Sequence, residues 1–194
     1  ESDVNPNVDS ESSYDSDEDL KMKQSAKALH QIKQIGKSST SEVFEVYRDD
    51  KKKSHFAQKI LNCSKDSIDT SEMKHFIRKC EKLNNLNCPN IVKIFKISIG
   101  DSSRQPSLLL ELCESNLKDK IKELNSEERV SIISDISNGM REIHQAKIIH
   151  QDLNLENILL DEDNHAKVSD FGICKLMKIE PNSTKFMAPE LLLH

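Results

Sequence analysis

Apolar and polar side chains alternate through "HQIKQIG" (30–36) and "SEVFEVYR" (41–48), the period-two pattern of half-buried strands. A charged turn, "RDDKKK", separates them from "KSHFAQKIL", which reads as a third strand. The period then lengthens. In "DTSEMKHFIRKCEKLNNL" the residues Met73, Phe76, Ile77, Cys80, Leu83 and Leu86 recur at helical spacing, with Asp69 and Glu72 as a cap pair. Strand character returns in "NIVKIFKISIG" and "PSLLLELCE". A short helix is expected in "SNLKDKIKEL", with Leu117, Ile121 and Leu124 on one side. A longer one is expected in "SEERVSIISDISNGMREIHQ", with Val130, Ile133, Ile136, Met140 and Ile143 as its apolar stripe. "NILL" and "AKVSDFG" read as two short strands around the turn "DEDNH". The pattern predicts an α+β chain, sheet-rich first and helix-rich later, with no internal repeat.

Composition adds a third region in front of these elements. The 194 residues carry a formal charge of −5, but residues 1–20 hold eight acids and no Lys or Arg. The rest therefore carries 28 basic against 25 acidic groups, or +3, too small and scattered an excess for a nucleic-acid partner. Residues 1–28 are acidic and Ser-rich, with Tyr14 as their sole aromatic, and cannot bury enough apolar surface to offset the entropy of ordering. They are expected to be a disordered tail, and "SYDSDEDL" offers a phosphorylation or docking segment. Five cysteines, none in a C-x-x-C pair, fit a reducing compartment rather than a disulfide framework. No apolar run approaches the ~20 residues of a membrane span, so a cytoplasmic or nuclear setting without a membrane partner is expected.

Six short motifs occur in order: "FAQK" (56–59), "CPNIV" (88–92), "LELCE" (110–114), "IIHQDLNLEN" (148–157), "DFG" (170–172) and "MAPE" (187–190). On them the chain resembles the eukaryotic protein kinase catalytic domain, from about residue 29 to its last residue. The resemblance implies a two-lobed fold, with a β-rich N-lobe over 29–113 and part of a helical C-lobe over 114–194. It implies ATP and Mg²⁺ as cofactors and transfer of the γ-phosphoryl group to Ser/Thr hydroxyls of protein substrates. The alternative is a pseudokinase, a nucleotide-binding or scaffolding module with little transfer.

Roles follow by position. Lys59 would pair with the α- and β-phosphates, Asp152 would orient or accept the hydroxyl proton, and Asn157 and Asp170 would hold the metal. Gly36 and Ser38 belong to the phosphate-covering loop. Val43 and Ala57 from above and Leu159 from below would enclose the adenine, with Leu110 behind it. Glu111 and Cys113 would offer backbone groups at the hinge. Leu83, Ile94, His150 and Phe171 would form a second apolar column.

The chain departs from the family's pattern in several places. The phosphate loop keeps one glycine of three, with Gly36, Ser38 and Ser41 at those positions. The helical Glu that should pair with Lys59 is Lys79, and two ammonium groups ~4 Å apart would repel by up to ~4 kcal/mol at an effective dielectric of 20. Gln151 replaces an Arg that usually receives a regulatory phosphate. Asn154 replaces a Lys on the transferring group, an expected loss of ~3–4 kcal/mol of transition-state stabilisation. Ser183 takes the position that favours Ser/Thr over Tyr, and Thr184 is the other hydroxyl of that segment. The sequence stops four residues after "MAPE", where the family continues into further helices, so it reads as a fragment.

Overall fold

The computed structural model describes residues 29–38, 41–48, 54–62, 70–100 and 104–170. Expectations for residues 1–28, for the Asp69/Glu72 cap and for 171–194, including Phe171, Ser183, Thr184 and "MAPE", lie outside the described residues.

The alternating segments form strands β1 (Leu29–Lys37), β2 (Ser41–Arg48) and β3 (His55–Leu61). With β4 (Ile94–Ser98) and β5 (Ser107–Leu110) they make an antiparallel sheet in the order β1-β2-β3-β5-β4. Alternation sorts the side chains of β3. Ala57 and Leu61 join the main core with Lys59 buried on the same face, while Phe56 turns to the other face against Val46 and Leu109. Helix α1 (Thr70–Asn84) closes the inner face with Met73, Phe76, Cys80 and Leu83 buried, the spacing its sequence predicts. Asn84 fixes where the next strand begins: its amide donates to the Ile94 carbonyl and its Oδ1 accepts from the Ile94 N–H at 3.1 Å.

The second half is built around α3 (Ser126–Gln145), preceded by the two-residue strand β6 (Ser115–Asn116) and one helical turn, α2 (Leu117–Lys120). Helix α2 is shorter than expected because Arg129 takes over its far end. The guanidinium donates to the carbonyls of Ile121 and Leu124, both at 3.0 Å, and these groups need no further helix to satisfy them. A reciprocal box starts α3: Asn125 Oδ1 accepts from the Glu128 N–H at 3.0 Å, and Glu128 Oε2 accepts from the Asn125 N–H at 2.8 Å.

The expected stripe on α3 is corrected by the structure. Val130 and Ile133 are 67% and 63% exposed, and the buried line runs through Ile132, Gly139 and Ile143, with Ile136 half-buried. Gly139 explains the shift. A face that contains a glycine packed against backbone is invisible to a reading that counts only apolar side chains.

Beneath the first sheet lie β7 (Ile158–Leu160) and β8 (Ala166–Val168), joined by the predicted turn and paired with β6. Asp161 Oδ1 organises that turn by accepting from the N–H groups of Asp163 and His165 at 3.1 and 2.9 Å. Leu160, Ala166 and Val168 are fully buried.

Residues 88–92, between α1 and β4, are fastened to β8. Val168 N–H donates to Asn90 O at 2.9 Å, Val92 N–H to Val168 O at 3.0 Å, and Asn90 Nδ2 to Ala166 O at 3.0 Å. Lys82 adds a bond from α1 to the carbonyl of Ala146, just past the end of α3. The β-rich lobe is thereby tied to the helical one through backbone rather than through side-chain packing alone. No helix among the described residues is long and apolar enough to cross a membrane.

Candidate active site

The segment from Ile148 to Asn157 is held from below. His150 is buried, its Nε2 donates to the Ser169 carbonyl at 2.7 Å, and its Nδ1 accepts from the Asp152 N–H at 3.3 Å. Those two bonds need the neutral ring, protonated on Nε2. Gln151, between them, has φ +74°, a left-handed conformation that non-glycine residues seldom adopt. The bend turns the chain so that Asp152 faces the end of the next turn rather than continuing past it.

That turn is one cycle of 3₁₀ helix, Leu155–Asn157, capped by Asn154. Asn157, 8% exposed, donates from Nδ2 to the Asp152 backbone oxygen at 2.7 Å and to its carboxylate Oδ2 at 3.0 Å. The Asn157 carbonyl accepts from the Ser169 N–H and hydroxyl at 2.9 and 3.0 Å. Asp170 follows with φ +62°, and its Oδ2 meets the ammonium of Lys59, 111 residues earlier in β3. One connected path thus runs Lys59–Asp170–Ser169–Asn157–Asp152. Lys79 does not replace the missing helical carboxylate, and Asp170 supplies the negative charge beside Lys59.

Above this path is a cleft of about 940 Å³. Its walls include Gly36 and Val43 from the sheet, Leu110, Glu111 and Cys113 from the connection between the lobes, and Leu159, Lys59 and Asp170. Ala57 is buried in the core and is not part of the wall. Ser38 is also outside the wall. Its N–H donates to Ser41 O at 2.8 Å and its hydroxyl accepts from the Ser41 N–H at 3.1 Å. Asp152 and Asn157 lie off the cleft wall, joined to it through Ser169 and Asp170. Leu83, Ile94 and His150 are all buried.

At the hinge, Glu111 N–H is already bonded to Lys93 O at 2.9 Å, so it is not open to a purine. Among the described residues, the Glu111 carbonyl and the Cys113 N–H form no hydrogen bond. Burial pushes the Cys113 thiol up to about 12, which keeps it neutral against the cleft. The Glu111 carboxylate was not foreseen in the role it takes. Its Oε1 pairs with Lys167 of β8 at 2.8 Å and its Oε2 accepts from the Lys93 N–H at 3.2 Å, while Lys167 also donates to the Pro89 carbonyl at 3.1 Å. The sequence signal for this cross-lobe pair is only a lysine in a short apolar strand.

The two residues expected to hold a metal, Asn157 and Asp170, are linked through Ser169, whose N–H donates to the Asn157 carbonyl at 2.9 Å. Both amide hydrogen bonds of Asn157 go to Asp152, and its side-chain oxygen takes none among the described residues. An amide oxygen and a carboxylate, donor types without sulfur or nitrogen, are those that suit a hard cation such as Mg²⁺. Among the described residues no cluster of three or more His, Cys, Asp or Glu forms a separate metal site.

Residues 29–194 match the family described as the protein kinase domain. The chain belongs to that family. Its kinase relatives include the hormonally up-regulated neu tumor-associated kinase of Mus musculus, 33% identical over 149 residues, which is 70% of this chain and 21% of the relative. The NUAK family SNF1-like kinase 2 of Pongo abelii is 32% identical over 121 residues, 60% of this chain and 19% of the relative. The tyrosine-protein kinase receptor svh-2 of Caenorhabditis elegans is 31% identical over 114 residues, 56% of this chain and 10% of the relative. The chain spans about a tenth to a quarter of the length of the curated relatives it matches. Membership in the kinase family implies ATP as the substrate nucleotide, usually with Mg²⁺.

The kinase fold gives His150 a pH dependence. Burial pushes its imidazole below the ordinary value, against the opposing pull of the Ser169 carbonyl and the Asp170 and Asp152 carboxylates. The unfolded chain would protonate this ring near pH 6.5 while the folded chain keeps it neutral. Below that pH the unfolded state therefore binds more protons, and stability falls as pH drops toward the depressed folded value. The melting temperature should fall between pH 7.5 and 5.5 more steeply than that of His150→Phe. Parallel slopes would remove His150 as the cause.

Proposed function

We propose that the protein is an ATP- and Mg²⁺-dependent kinase that phosphorylates Ser/Thr hydroxyls of protein substrates inside the cell. The observation that supports this most directly is the connected path from Lys59 through Asp170 and Asn157 to Asp152, which gathers a cation, two hard oxygen ligands and a proton acceptor beside one cleft. Phosphoryl transfer needs little covalent help from a protein, since positioning and charge neutralisation provide most of the catalysis.

In this reading Lys59 holds the α- and β-phosphates, and Asn157 and Asp170 hold the metal, which neutralises phosphate charge when bound. Asp152 takes the hydroxyl proton. Val43, Leu110 and Leu159 enclose the adenine with Ala57 behind them, and Cys113 N–H with Glu111 O are the hinge groups open to it. Gly36 and Ser38 cover the phosphates.

Preference for Ser/Thr rests on the loop pattern H-x-D-L-x-x-x-N and on Ser183. An intracellular setting rests on Cys80, Cys88 and Cys113, all unbridged. The acidic tail is proposed as a phosphorylation or docking segment. The test is transfer of label from γ-labelled ATP to a protein acceptor by the full-length protein, with and without Mg²⁺, followed by phosphoamino-acid analysis. Label on Ser or Thr only when Mg²⁺ is present is expected. Metal-dependent nucleotide binding without any transfer would overturn the enzyme reading, and label on Tyr would overturn the Ser/Thr assignment.

A further inference from the structure

Asn154 stands where a lysine is expected, and by sequence alone it is only a lost charge. Its contacts give it a different character. The side chain is used from both ends. Oδ1 accepts from the N–H groups of Glu156 and Asn157 at 2.9 and 3.2 Å, capping the 3₁₀ turn. Nδ2 donates to the Asp152 backbone oxygen at 3.2 Å and to its carboxylate Oδ1 at 3.1 Å. Asn157 Nδ2 reaches the other carboxylate oxygen, Oδ2, at 3.0 Å. Each oxygen of Asp152 is thus met by a different amide, and both amides come from the same capped turn.

We propose that Asn154 is a positioning residue that sets the orientation of the Asp152 carboxylate by clamping it to the turn that carries Asn157. The proposal rests on the kinase reading above. A carboxylate on a loop has two free side-chain torsions, and one donor fixes a point without fixing the plane. Two donors on opposite oxygens fix the plane as well. Only a side-chain amide has the acceptor for the cap and the donor for Asp152 at the same place. Lysine has donors but no acceptor, so it would reach Asp152 and leave the turn uncapped. Serine has a capping oxygen but ends short of the donor position.

These differences separate the two roles. Asn154→Ser should keep the cap, hold the wild-type melting temperature, and lower kcat about tenfold or more, because misplacement on the ångström scale costs up to ~10² in rate. KM for ATP should change less than about twofold, since the contact acts on the proton acceptor and not on the nucleotide. Asn154→Lys should melt lower through loss of the cap, yet turn over faster than the Ser variant because it again donates to Asp152. A wild-type kcat in Asn154→Ser, or a Lys variant no faster than the Ser variant, overturns the proposal.

Crystal structures of the wild type and Asn154→Ser decide the same point without turnover. The Asp152 carboxylate should leave its position in the variant, and a carboxylate that stays in place overturns the proposal. An inactive wild type would defeat the kinase reading, while the crystallographic comparison would still decide what Asn154 does.

Discussion

Asp152→Asn is expected to lower phosphoryl transfer by about 10³-fold while leaving ATP affinity unchanged. General-base assistance contributes ~10²–10⁴ to such reactions, and the amide cannot accept the proton. The structure adds a second loss. Asn154 and Asn157 each donate to a different carboxylate oxygen, at 3.1 and 3.0 Å. An amide at 152 offers one oxygen, so one donor would face an NH₂ group in either flip. Nucleotide binding is expected to survive because Asp152 is not part of the cleft wall, and Lys59 and Asp170 are unaltered. Steady-state kinetics would report the fall in kcat, and calorimetric titration with ATP and Mg²⁺ would report the unchanged affinity. A variant within tenfold of wild type would show that Asp152 is not the base.

The second large effect is on stability. A Cβ at Gly139 would stand 2.5 Å from Asn90 O, 3.1 Å from Val168 Cγ2 and 3.3 Å from Asn90 C. The nearest atom is backbone and is itself bonded to the Val168 N–H at 2.9 Å, so no side-chain rotation relieves the contact. Gly139→Ala gains ~1 kcal/mol in helix propensity. Overpacking costs ~1–3 kcal/mol, and each hydrogen bond strained between Asn90 and β8 costs ~1 more. The balance is a loss of about 2 kcal/mol. In a chain of this size that lowers the melting temperature by roughly 4–8 °C. Ser134→Ala, on the exposed side of the same helix, should change it little. A Gly139→Ala protein as stable as wild type would mean that the linker is not held against α3.

What could be read in advance divides along physical lines. Strand β3 and helix α1 were legible because their burial follows the period of the sequence, with Phe76, Cys80 and Leu83 falling where the spacing puts them. The links among Asp152, Asn157 and Asp170 were legible because the family pattern sets those residue types at fixed steps. The stripe of α3 was misread because Gly139 buries backbone, not a side chain. The Glu111–Lys167 pair was missed because its partners are 56 residues apart in sequence and each looks like a solvated charge on its own. Lys79 and Asn154 looked like plain losses. The charge beside Lys59 comes from Asp170, and the grip on Asp152 comes from an amide, and neither substitution is visible until the chain is folded.

The two walls of the cleft differ in how far they can yield. Its floor rides on β7 and β8, where Leu160, Ala166 and Val168 have no exposure and the backbone is bonded on both sides. Its roof includes Gly36 of β1, which among the described residues is an edge strand paired only with β2 and whose residues are almost all exposed. Opening the floor requires the cooperative loss of the core, whereas lifting the roof breaks one ladder of bonds at the rim. The cleft is therefore a rigid anvil under a compliant flap: local fraying of β1 would widen it without loosening Leu159, Ser169 or Asp170 on the floor.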